Sequence, residues 1–95
     1  MRVLIIEDDE GRKTVVPFVR EEITIGRQEG NTIRLTERNV SRRHAEVRKT
    51  IEGWMIADLG STNGVKLNGR RVHEEVLRPG DKITLGLVEL GFDEE

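Results

Sequence analysis

An all-β sandwich of two packed, mainly antiparallel sheets is the fold this sequence predicts, and three observations predict it. Short runs of alternating or β-branched residues recur along the whole chain. Turn signals rich in Gly and Asn separate them at short intervals. No stretch carries a sustained apolar period of 3.6 residues, so amphipathic helices are not expected. Many short strands can bury their apolar faces only against one another, which requires two packed sheets.

The elements follow in order. Arg2–Ile6 is a brief apolar strand that runs into the acidic turn Glu7-Asp8-Asp9-Glu10. Thr14–Val19 is the second strand. Pro17 lacks an N–H for a ladder, so this strand belongs at an edge or a bulge. Glu22–Ile25 alternates and stops at Gly26. Thr32–Leu35 is short, His44–Lys49 alternates, and Trp54–Leu59 carries the single tryptophan. Val65–Leu67, Lys82–Leu85 and Val88–Phe92 complete the set. The turns hold Glu10-Gly11, Glu29-Gly30-Asn31, Glu52-Gly53, Asn63-Gly64, Asn68-Gly69 and Pro79-Gly80-Asp81. Arg70–Leu77 is the least strand-like stretch and is expected to hold one turn of helix. Alternation places Val3, Ile5, Val16, Phe18, Ile23, Ile25, Ile33, Leu35, Ala45, Val47, Trp54, Ile56, Leu59, Leu67, Ile83, Leu85, Leu90 and Phe92 in the core.

Ninety-five residues make one domain, 1–95, with a modest core. There is no cysteine, so a disulfide framework and a thiolate metal site are both excluded, and a reducing, cytoplasmic setting is expected. No apolar run approaches the length of a membrane helix and no signal peptide is read at the start. The acidic end, Asp93-Glu94-Glu95, reads as the beginning of a linker. Net charge is −2 but unevenly spread. Arg27–Lys49 holds seven basic and three acidic residues, whereas Asp81–Glu95 holds five acidic residues and one lysine. A basic loop face on an acidic body suits a small local anion better than a nucleic acid, which would want more positive charge and exposed aromatics. Arg20, Arg48, Arg70 and Arg71 are read as solvated surface charges.

Three loop segments carry chemistry: Gly26-Arg27, Ser41-Arg42-Arg43-His44 and Gly60-Ser61-Thr62-Asn63-Gly64. Guanidinium, hydroxyl and amide groups there offer charge-assisted donors to phosphate oxygens. Little else could do chemistry on that phosphate. Together with Asn31-Thr32-Ile33-Arg34-Leu35, Asn68-Gly69 and Leu77–Ile83, these segments make the chain resemble a forkhead-associated domain, a phosphothreonine-peptide binding module. The resemblance covers about Ile23 to Phe92.

The resemblance implies a site for Arg27, Ser41, Arg42, Thr62 and Asn63. Arg27 reaches the phosphate. Ser41 contacts it through its hydroxyl and backbone N–H, and Arg42 lines the same pocket. Thr62 lies near the phosphate, and Asn63 holds the peptide backbone on either side of it. Gly26, Asn31, His44 and Gly64 support the loops, with both ring nitrogens of His44 on backbone groups. Arg43 points away and His73 is a surface residue. The implied partner is a phosphothreonine-containing protein or peptide made by a Ser/Thr kinase. No enzyme activity, cofactor, metal, nucleic acid or membrane is implied, and the isolated domain is expected to be monomeric.

Rival readings are weaker. Ser41, His44 and Asp58 are the residue types of a hydrolytic triad, but no nucleophile elbow Gly-x-Ser-x-Gly is present. Arg2–Glu10 resembles the start of a response-regulator receiver, with acids in Glu7-Asp8-Asp9 for Mg²⁺ and Asp58 as acceptor. The turns come too often for its helices, and the chain is too short for five βα units. Gly60–Lys66 lacks the nucleotide-loop pattern. A module that binds unphosphorylated partners is the serious alternative.

Overall fold

The computed structural model describes residues 1–8 and 10–95. Asp9 lies outside them, and with it part of the acidic run weighed above as a cation site. Eleven strands succeed one another among the described residues: β1 (Arg2–Glu7), β2 (Lys13–Pro17), β3 (Glu22–Gly26), β4 (Ile33–Arg34), β5 (Ala45–Thr50), β6 (Gly53–Asp58), β7 (Val65–Leu67), β8 (Arg70–Val72), β9 (Glu74–Val76), β10 (Lys82–Leu85) and β11 (Val88–Glu94). No helix among them is long and apolar enough to cross a membrane.

Two sheets form. One runs β2-β1-β11-β10-β7-β8 and the other β4-β3-β5-β6-β9. Every pairing given is antiparallel except that of β3 with the two-residue β4, which is parallel. β2 takes a sheet edge, where Pro17 does not interrupt a ladder on both sides. The inner faces meet in one cluster that includes Ile23, Ile25, Val47, Ile56, Ile83, Leu85, Leu90 and Phe92. Trp54 is half-buried and meets Phe18 edge-on, with ring centroids 4.6 Å apart.

Three expectations need correction. β1 presents Leu4 to the core cluster, with Ile6 packed against it; Val3 is buried as expected, but Ile5 is only half-buried, and neither Val3 nor Ile5 joins the cluster. Leu4 stands opposite Phe92 on β11 and Val16 on β2. Val3 through Ile6 are all apolar, so no alternation in β1 selects a face; the cross-strand partners select it. Arg70–Leu77 holds no helical turn but two strands, β8 and β9. Asn68 and Gly69 both have positive φ (52° and 85°), the geometry of a two-residue hairpin turn, which folds β8 back on β7. β9 then joins the other sheet beside β6. Asp93 and Glu94 belong to β11, opposite Val3 and Arg2, rather than to a linker.

Of the arginines read as solvated, Arg20, Arg70 and Arg71 are exposed and Arg48 alone departs. Arg48 is half-buried and pairs with Glu46 and Glu74, and these partners raise its already high pKa. Arg71 packs on Gly64, so closely that a Cβ there would lie 2.7 Å from its Nε.

The β1 register is testable by urea denaturation. Leu4→Ala is expected to cost about 2–5 kcal/mol, as for a fully buried leucine. Ile5→Ala, on the other face, is expected to cost clearly less. Equal losses, or the reverse order, would contradict this register.

Candidate functional site

The connections after β3, β4 and β6 gather at one end of the sandwich, and the segment Asn39–Arg42 is their common spine. Its carbonyls are all taken by neighbouring loops. Asn39 O accepts from Asn63 Nδ2 at 2.7 Å, and Val40 O accepts from Arg27 Nε at 3.0 Å. Ser41 O accepts from the Arg27 N–H at 3.0 Å. Arg42 O accepts from the Gln28 N–H at 3.2 Å and from Asn31 Nδ2 at 2.9 Å. Backbone groups that leave regular sheets need such partners, and here the loops satisfy one another.

Gly26 is needed for close approach. Its φ is not positive; a Cβ would overlap the Arg42 carbonyl outright and sit 2.9 Å from Asn31 Nδ2. Asn31 closes the turn after Arg27 by also donating to Gln28 O at 2.7 Å. Thr24 and Thr32 exchange N–H to Oγ bonds of 3.1 and 3.0 Å, which pins both ends of this loop. In the third loop, Asp58 Oδ1 accepts from the Ser61 N–H, and Ser61 Oγ accepts from the Gly64 N–H. Gly64 itself has φ of 80°.

His44 lies beneath the spine, fully buried. The Ser41 N–H donates to its Nδ1 at 3.0 Å. Nδ1 must therefore carry the lone pair, so the proton resides on Nε2, which donates to Gly64 O at 2.8 Å. One neutral ring thus joins the second loop to the third. This geometry corrects one expectation: the Ser41 N–H is committed to His44 and does not face an anion. It also separates the triad-like residues, because both ring nitrogens bond backbone and Asp58 bonds Ser61. Among the described residues no buried side-chain nitrogen or oxygen lacks a partner.

The residues named from the motifs fall around two hollows. Arg27 and Arg42 line an open one of about 590 Å³ with Gln28, Glu29 and Arg34. Asn63 and Gly64 line a second, of about 270 Å³, with Asn39, Lys66, Thr84, Gly86 and Leu87. Ser41 and Thr62 line neither, but a bond links their loops: Ser41 Oγ accepts from the Thr62 N–H at 3.0 Å. That acceptor bond leaves the serine hydroxyl proton free to donate elsewhere. Arg27 is likewise held by Nε alone, which leaves its terminal nitrogens to meet an anion. Arg42, Arg43 and Thr62 are exposed.

Sequence reasoning missed Arg34 and Glu37. Arg34 sits in a strand-like run with no loop signature, yet its Nε donates to Arg27 O at 3.0 Å. Glu37 clamps Asn39 through its N–H and amide at 3.0 and 2.7 Å and also receives the Leu87 N–H. Desolvation pushes the Glu37 carboxyl up. The Asn39 and Leu87 donors and the Arg38 charge outweigh it, so the carboxyl lies below its ordinary value. A carboxyl shifted this way stabilises the fold above its unfolded pKa and loses that contribution as the pH falls through its folded one.

This sandwich and these loops define a domain of the FHA family: a model of the FHA domain matches residues 23–86, and the chain belongs to that family. It is 39% identical over 75 residues to the oxoglutarate dehydrogenase inhibitor of Corynebacterium diphtheriae, a match covering 79% of this chain and 52% of that protein. The chain thus spans about half the length of that relative. It is 44% identical over 66 residues to the FHA domain-containing protein FhaA of Mycobacterium tuberculosis, covering 70% of this chain and 12% of that one. Among solved structures, the FhaA FHA domain complexed with the intracellular domain of Rv3910 superposes with a TM-score of 0.85 at 36% identity, covering 97% and 99% of the two chains. A structure from work on phosphothreonine-dependent FHA domain interactions gives a TM-score of 0.85 at 35% identity, covering 99% and 96%.

Replacing His44 tests the loop architecture. His44→Ala strands the Ser41 N–H and the Gly64 carbonyl, each an unpaired buried group worth about 1–3 kcal/mol. A clear fall in melting temperature and faster hydrogen exchange at the Ser41 amide are expected. Native stability with continued protection of that amide would refute the bridging role.

Proposed function

We propose that this domain is a phosphothreonine-peptide reader that mediates phosphorylation-dependent protein association. The observation that carries the reading is the open hollow lined by Arg27 and Arg42, with the Arg27 N–H bonded to the carbonyl of Ser41, whose hydroxyl proton is uncommitted. A phosphothreonine brings about −1.5 to −2 charge and three acceptor oxygens at neutral pH. Arg27 meets it with the terminal edge of its guanidinium, Arg42 with a second charge, and Ser41 and Thr62 with hydroxyls. Relatives whose structures concern phosphothreonine-dependent binding or, as with EmbR of Mycobacterium tuberculosis, a bound phosphopeptide support the same reading.

The peptide lies extended across the loops. Asn63 keeps one amide hydrogen on Asn39 O and offers its Oδ1 and second hydrogen to the peptide backbone. The hollow beyond Asn63 accepts a flanking side chain. Each charge-assisted bond contributes about 1.5–3 kcal/mol. Ordering the peptide offsets much of this, so a micromolar affinity, about −8 kcal/mol, is expected. The reader acts as a monomeric cytoplasmic module rather than an enzyme, on a partner phosphorylated by a Ser/Thr kinase.

Two measurements test this reading. Calorimetric titration of a selected threonine peptide with and without its phosphate should show binding only with it. Equal affinities would favour a phosphate-independent interaction module. Arg27→Ala should weaken the phosphopeptide by about 1.5–3 kcal/mol. Its melting temperature should fall only modestly, since Arg27 is exposed and the variant loses the one Nε bond to Val40 O. Unchanged binding would make Arg27 a mere surface charge.

Asn63 should separate from that cluster. Shift titrations of Asn63→Ala should show weakened binding of a long phosphopeptide but nearly native binding of free phosphothreonine, whereas Arg27→Ala weakens both. Parallel losses for Asn63→Ala would place Asn63 in the phosphate site or show that its bond to Asn39 holds the loop together.

A further inference from the structure

The hollow beside Arg27 gathers three guanidinium groups, those of Arg27, Arg34 and Arg42, against a single carboxylate, Glu29. Arg27 and Arg42 already match the charge of one phosphate. Arg34 is the surplus. Its Nε donates to the Arg27 carbonyl, which occupies one edge of the guanidinium. Its Nη1 lies 3.7 Å from Glu29 Oε1, an ion pair but longer than a hydrogen bond. Both side chains are open to water, Arg34 about half exposed and Glu29 at 86%. Such a pair is weak and easily exchanged.

We infer that Arg34 forms a second anion subsite, which takes an acidic group flanking the phosphothreonine and for which Glu29 is the internal carboxylate that the ligand displaces. This rests on the phosphothreonine reading above and extends it. The ligand chemistry is an oxyanion next to the phosphoresidue, either a side-chain carboxylate or a second phosphoryl group. Either matches the free edge of a guanidinium already aimed by its bond to Arg27 O. Glu29 lowers the gain from a second acid, because the incoming oxyanion must compete with it. The domain therefore grades its ligands: one phosphate suffices for binding, and a neighbouring acid strengthens it.

The test is a panel of phosphothreonine peptides built on one sequence that the domain binds. Each position from three before to three after the phosphothreonine is replaced in turn by Ala, Glu or phosphoserine. Affinities are measured for the wild-type domain and for Arg34→Gln, Arg34→Lys and Glu29→Gln. At one or more positions Glu or phosphoserine should strengthen wild-type binding by about fivefold over Ala, the upper range for an exposed ion pair. Arg34→Gln should abolish that increment, measured as the affinity ratio of Glu or phosphoserine peptide to Ala peptide within the same variant, and Arg34→Lys should keep most of it. Glu29→Gln should enlarge it. A gain with Glu as well as phosphoserine identifies a carboxylate-competent subsite, and a gain with phosphoserine alone identifies a second phosphate as the ligand. No gain at any position would overturn the inference. So would an Arg34→Gln loss equal for all peptides, which would make Arg34 only a prop for the Arg27 loop. Wild-type binding that ignores the threonine phosphate would instead overturn the parent reading, and this one with it.

Discussion

The His44 ring spans two loops that share no strand, accepting the Ser41 N–H on one nitrogen and donating to the Gly64 carbonyl from the other. It has no exposed surface, so neither bond can be exchanged for water without opening the end of the sandwich. The other contacts depend on this placement. With Ser41 held, its carbonyl receives the Arg27 N–H and its hydroxyl receives the Thr62 N–H. With Gly64 held, the third loop turns back so that Asn63 reaches Asn39. The loops are ordered before any ligand arrives, which reduces the entropy lost on binding.

Packing and polarity divide the labour along the chain. The cluster of Val, Ile, Leu and Phe between the two sheets supplies the stability. The loop end contributes Leu35 and Val40 to that cluster and is otherwise held by hydrogen bonds to the carbonyls of Asn39–Arg42. Gly26 shows how tightly the end of β3 meets the Asn39–Arg42 segment, since even a methyl group would collide with the Arg42 carbonyl. Arg71 on Gly64 and Glu37 on Asn39 brace the same end from neighbouring strands and turns. Such bracing lets exposed arginines keep their charged edges toward solvent while their other edge is fixed.

Legibility in the sequence followed how local each signal was. In the 44–59 region His44–Lys49 was readable because alternation there is clean, and Trp54–Leu59 because it is a mostly apolar run bounded by Gly53 and Gly60. β1 was misread because four consecutive apolar residues carry no phase. The stretch 70–77 was misread because its strands are three residues each and charged, and because it divides between a hairpin with β7 and a more distant pairing with β6. Arg27, Ser41, Asn63 and their glycines stood out as motifs, since hydroxyl, amide and guanidinium groups crowd into breaks between strands. Arg34 did not, because an arginine in a short edge strand looks like any solvated charge until β4 is laid beside β3.

By itself, then, the chain determined a sandwich of short strands, its turns, and loop segments with anion-binding chemistry. These depend on neighbours within a few residues, where periodicity and backbone freedom act directly. Only the tertiary structure decided which face of β1 is buried, that 70–77 splits between two sheets, and that the Ser41 N–H faces His44. It also decided that Arg34 joins Arg27 and Arg42. The pairings of β1 with β11 and of β9 with β6 span a large sequence separation, while the Ser41–His44 and Arg34–Arg27 contacts are close in sequence but depend on how the loops fold; both kinds are settled by the simultaneous packing and hydrogen bonding of the whole chain, which no single segment encodes.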